Sequence, residues 1–179
     1  EERQSPGPAE HYTRSPGTRL PALAGALVLT LALLVGLLSN VLNMSGAVFA
    51  FPAQALPALL LCVLTLVVGF WVLRRVRPVR SPSPTVSVTA VAWGALAATG
   101  VAVHANTGLS GLWGQALGFR PAGLWSAALT APLNEGLLKL VGVVIIAVVL
   151  PRTLRGPVDG FVVGALVGLG FMVVENMLY

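Results

Sequence analysis

Three ionisable residues stand inside otherwise apolar stretches: Glu135 and Lys139 in one, Glu175 in the next. A charge at the centre of a helix in lipid costs about 2.5–3.5 kcal/mol, so such residues face a partner or a watery cavity. Glu135 precedes Lys139 by one helical turn, the favoured order for an intrahelical ion pair. Glu135 lies 15 residues before Leu150, and Glu175 lies 15 residues after Gly160. If the two stretches are antiparallel helical neighbours, both carboxylates sit about 22 Å from one membrane boundary. Two carboxylates sharing a protected cavity can do general acid and base work on a water. They can also hold a divalent metal, although all-carboxylate sets suit hard ions better than zinc. On spacing alone two other readings stay open: a buried ion pair with one protonated glutamate gluing helices together, and the proton relay of a small transporter.

The elements that must position these groups are membrane spans. Of 179 residues, 56% are hydrophobic and 9% charged. That is far below the roughly one quarter charged residues of a soluble domain. Residues 1–19 are polar and rich in Pro, Gly and Ser, the composition of a disordered cytoplasmic tail. Residues 20–104 hold three N-terminal transmembrane helices: Leu20 to Leu38, Ala55 to Leu73 and Val86 to His104. A weaker stretch, Ser39 to Gln54, separates the first two. Residues 105–121 are Gly-rich and predict an outer loop. Residues 122–179 supply two further spans, Ala122 to Leu150 and Gly160 to Tyr179, that carry the ionisable groups. The fold class expected is all-α, a polytopic transmembrane helix bundle of about five spans within a larger bundle, because only closed backbone hydrogen bonding survives in lipid.

Charge sets the expected orientation. With the N-terminus inside, nine of the eleven Lys and Arg residues fall in cytoplasmic segments, Arg120 falls outside and Lys139 is buried. The protein is therefore expected to be integral to the plasma membrane with a cytoplasmic N-terminus. The lipid bilayer is its first partner, its arginine clusters lying beside anionic headgroups. Short basic clusters parted by apolar runs exclude nucleic acid as a partner. The single cysteine, Cys62, excludes a disulfide framework.

Other positions carry weaker signals. His104 ends the third span about 27 Å above its start, near the level of the glutamates, where it is a secondary candidate for a ligand or proton shuttle. Asp159 opens the fifth span as an expected N-cap. Trp71, Trp113 and Trp125 are expected interfacial anchors, and Trp93 a packing residue. Gly160, Gly164 and Gly168 form a small-residue stripe that predicts close helix packing and leads on to Phe171 or Met172 and Glu175, with Gly136 and Gly142 as the matching surface. His11, in the tail, is expected to have no role.

The segments APLNEGLLKLVGV (Ala131 to Val143) and PVDGFVVGALVGLGFMVVENMLY (Pro157 to Tyr179) resemble the PrsW family of intramembrane proteases, distant relatives of the CAAX-processing and bacteriocin-processing membrane proteases. Together they cover about a fifth of the chain. The family's first motif, EExxK, is met by Glu135 and Lys139, with Gly136 in place of the second glutamate. Its second motif, FxxxE, is met by Phe171 and Glu175, followed by Asn176. Its third, a histidine on a later span, would lie beyond Tyr179, so the chain reads as part of a longer protein. The resemblance implies a membrane-embedded peptidase that cuts a membrane-anchored protein substrate, for example an anti-sigma factor, near the outer face. It further implies Glu135, Glu175 and Lys139 as catalytic residues and Asn176 and Phe171 as supporting ones. Glu135 and Glu175 would also be the ligands of a divalent metal such as zinc. The alternatives are a catalytically inactive relative acting as a membrane scaffold and a small proton-coupled transporter.

Overall fold

A computed structural model describes residues 16–75, 82–151 and 153–178. Most of the expected tail, His11 and most of the arginine-rich segment after the second span lie outside these residues. The described chain is entirely helical: α1 (Pro16–Ala50), α2 (Pro52–Arg75), α3 (Pro84–Ala92), a π-helical segment (Trp93–Ala98), α4 (Thr99–Leu117), α5 (Phe119–Val149) and α6 (Pro157–Leu178). Since α3, the π segment and α4 run on without a break, the described residues contain five helices long and apolar enough to cross a membrane. Large apolar side chains such as Leu31, Leu34, Leu60, Leu64, Leu137 and Leu140 remain exposed along α1, α2 and α5. In a bilayer that surface meets lipid rather than water.

Two stretches differ from the sequence expectation. Residues 39–50 continue α1 rather than forming a weak connection. Their polar side chains are satisfied across helices, Asn40 Nδ2 donating to the carbonyls of Ala95 (2.9 Å) and Leu96 (3.2 Å). The chain turns only at Phe51, where Pro52 opens α2 and disfavours helix in the residue before it. The second difference is the expected outer loop 105–121. It is almost wholly helical, divided between α4 and α5 at Gly118, whose φ of 81° a residue with a side chain rarely adopts. Glycine lowers intrinsic helix propensity, but tertiary contacts override it here. Trp113 Nε1 donates to Thr130 Oγ1 (3.0 Å) and Asn134 Nδ2 to Asn106 Oδ1 (2.9 Å), so α4 and α5 form a long hairpin. Trp113, partly buried, thus ties the end of α4 to α5.

The core lies around the π segment. Trp93, Ala97 and Ala98 pack with Ile146 of α5 and with Val162, Val163, Leu166, Val167 and Phe171 of α6. Small residues permit this. A Cβ on Gly94 would overlap the Val167 carbonyl, and one on Gly170 would overlap the Val91 carbonyl. These glycines, not the expected stripe, make the closest approach of α6 to its neighbours. Gly160 and Gly168 have nothing within 4 Å of a Cβ position, and Gly164 meets only a Val143 methyl at 3.9 Å. The stripe runs along the edge of the buried face, so α6 meets α5 more loosely than it meets the π segment. Gly136 is likewise open, whereas Gly142 receives the Trp93 ring.

Candidate functional site

The loose α5–α6 seam is where the ionisable residues meet. Lys139 Nζ lies 3.3 Å from Glu135 Oε2, one turn earlier on α5. The same ammonium sits over the Phe171 ring of α6, 3.7 Å from its centroid. A cation over an aromatic face is attracted by the ring quadrupole, by about 2 kcal/mol or more when desolvated. Lys139 therefore joins the first motif to the second. Glu175, one turn beyond Phe171, lies within electrostatic reach of both Glu135 and Lys139. The expectation that the two carboxylates share a depth matches this register, Lys139 standing against Phe171 and Glu135 therefore near Glu175.

The two glutamates differ in their partners. Glu135 is held by Lys139, with its side chain 15% exposed. Glu175 makes no hydrogen bond or ion pair among the described residues and stays partly open. The backbone beneath the site is fixed from one side by Trp93, which is 4% exposed, donates from Nε1 to the Leu138 carbonyl (3.0 Å) and packs against Gly142. From the other side α2 reaches α6 through Cys62, whose Sγ donates to the Val173 carbonyl at 3.3 Å. Asn134, beside Glu135, is pinned to Asn106 of α4.

The remaining sequence candidates are placed elsewhere. Asn176 is exposed and lines a cavity of about 740 Å³ with Asn43 and Gln54 of α1 and α2. His104 faces α1, sharing a 2.9 Å hydrogen bond with Ser39 Oγ, and no described contact carries it to either glutamate. Its matching depth does not bring it to the site, because it points from another side of the bundle. Asp159 acts as a cap, though not as the N-cap itself. It stands in the first turn of α6, buried, and its Oδ2 accepts from the Arg155 N–H (2.9 Å), which ties the chain leading into the helix to its first turn. Sequence reasoning missed Asn40, Asn106 and Ser39. The available signal was their polarity within apolar surroundings, in stretches assigned to loops.

A catalytic zinc takes three protein ligands and an open position. No group of three or more His, Cys, Asp and Glu able to hold a metal occurs among the described residues. Glu135 and Glu175 are two donors, and one already faces an ammonium. This set by itself does not make a metal centre.

Compared with known protein families, the chain matches one described as the PrsW family intramembrane metalloprotease, over residues 82–179, more than half its length. The matched region begins before α3, so it includes the π segment and α4 as well as the two motif-bearing helices. No curated protein and no solved structure matches the chain.

Proposed function

From the premise that the chain belongs to the PrsW family of intramembrane metalloproteases, we propose that it hydrolyses a peptide bond of a membrane-anchored protein at the α5–α6 seam. The observation that carries this reading is the Lys139 ammonium, 3.3 Å from Glu135 and 3.7 Å from the Phe171 centroid, which gathers both motifs at one place. Glu175, with no ion pair among the described residues, is the group available to take a proton from water as it attacks the scissile carbonyl carbon. It then delivers that proton to the leaving amine nitrogen as the C–N bond breaks. Glu135 holds Lys139 in place, and the ammonium supplies the positive charge near the developing oxyanion. Phe171 and Trp93 position this machinery without touching the substrate. With the N-terminus cytoplasmic, the site lies in the outer part of the bilayer, and single-span proteins such as anti-sigma factors are the substrate class.

The test is cleavage of a single-span reporter by the reconstituted protein, with Glu175→Gln alongside. Loss of at least a hundredfold in the variant is expected for a general base, and equal cleavage by both removes Glu175 from the mechanism. One observation favours a second reading, a non-catalytic relative that binds a membrane partner: Gly136 stands where the motif has its second glutamate. In that case neither protein cleaves the reporter, but both retain it on co-purification.

A further inference from the structure

At the end of the bundle bearing Arg74 and Arg75, α2 and α3 both pack on α6 and leave a cleft between them. Its volume is about 870 Å³. One wall is a face of α2 that includes Phe70, Trp71, Arg74 and Arg75, recurring at helical spacing, and the other includes Val88 and Val91 of α3. Everything on these walls is apolar except the two arginines. Their guanidinium groups are folded back over rings of their own helix, Arg74 at 5.7 Å from the Phe70 centroid and Arg75 at 4.1 Å from the Trp71 centroid. Neither makes an ion pair among the described residues, and Arg74 Nε is buried with no hydrogen-bond partner.

We infer that this cleft is a binding site for one anionic phospholipid, its acyl chain lying between α2 and α3 and its phosphate on Arg74 and Arg75. Charge complementarity selects this occupant. Two adjacent guanidinium groups with no carboxylate partner among the described residues match phosphate oxygens in bidentate geometry, and basic pockets between spans bind acidic headgroups. The apolar walls suit a chain and offer nothing to a free anion. Trp71, half exposed at the same level, is placed where indoles prefer the headgroup region. The site is remote in sequence from the ionisable cluster and stands independently of any catalytic role.

The full chain is reconstituted in vesicles of equal parts phosphatidylcholine and phosphatidylglycerol, re-extracted in mild detergent and weighed by native mass spectrometry with its retained lipid. One phosphatidylglycerol is expected, favoured over phosphatidylcholine by about tenfold or more. Arg74→Gln with Arg75→Gln should abolish the preference. Val88→Trp, at a position 60% exposed and so tolerant of bulk, should displace the lipid while leaving both charges in place. Excess glycerol 3-phosphate should not displace it. Equal retention of the two lipids, an unchanged preference in the arginine variant, undiminished binding in Val88→Trp, or displacement by glycerol 3-phosphate each overturns the assignment.

Discussion

At the scale of single residues, the asymmetry between two glutamates organises the site. Glu135 has a cation and Glu175 has none within hydrogen-bond distance among the described residues, although both lie on one seam. Removing the cation tests this. Lys139→Met leaves the Glu135 carboxylate without its partner, and a loss of about 1–3 kcal/mol in unfolding free energy is expected from the stranded group. Pairing Lys139→Met with Glu135→Gln should recover most of that loss, which thermal unfolding in detergent will read directly. Gly136 offers the opposite experiment. A Cβ there meets nothing within 4 Å, so Gly136→Glu fits without rearrangement. Gly136→Ala should raise helix stability by up to about 1 kcal/mol through backbone entropy, whereas Gly136→Glu also sets an ionisable group in the span, at a cost of about 2.5–3.5 kcal/mol where it faces lipid. If the catalytic reading holds, restoring the second carboxylate should also raise the rate of reporter cleavage.

At the scale of elements, the glycines of α6 separate into two kinds. Gly170 lies against the backbone around Val91 and Ala95, and Gly168 faces open space. Gly170→Ala should therefore destabilise the bundle by about 1–3 kcal/mol through overpacking. Gly168→Ala should be neutral or stabilise by up to about 1 kcal/mol. The reverse order in a thermal melt would show that the closest face of α6 has been misidentified. The π segment is the other element with consequences. Asn40 of α1 donates to two carbonyls of this segment, those of Ala95 and Leu96. Asn40→Ala should cost about 0.6 kcal/mol, the average for hydrogen bonds between membrane helices, and at most about 1.7 kcal/mol.

At the scale of the whole molecule, five spans and the arginine distribution make a topological prediction. Reporters fused in the 151–156 turn should read as cytoplasmic, and reporters at Gly118 as external. The opposite pattern would invert the placement of the site across the bilayer. The bundle is also unevenly filled. The strand of contacts through α3, the π segment and α6 is tightly packed, while α1, α2 and α5 present broad apolar faces outward. Lipid, and further protein helices, are the natural cover for such faces, and the α2–α3 cleft is one place where a lipid is held in a defined way.

Much of this was legible in the sequence because membranes make strong demands. Apolar run length sets the number of spans, and the cost of an intramembrane charge singles out Glu135, Lys139 and Glu175 before any contact is known. Helical spacing also pairs Glu135 with Lys139, since both lie on one helix. What joins one helix to another was decided only in three dimensions. Lys139 resting on Phe171 depends on the rotation of two helices about their axes, which depth matching leaves free. The same rotation put Gly170 rather than the glycine stripe in the tight contact and turned His104 toward Ser39. Residues 105–117 became helix because α5 offered them a partner, a stabilisation that local propensity does not contain.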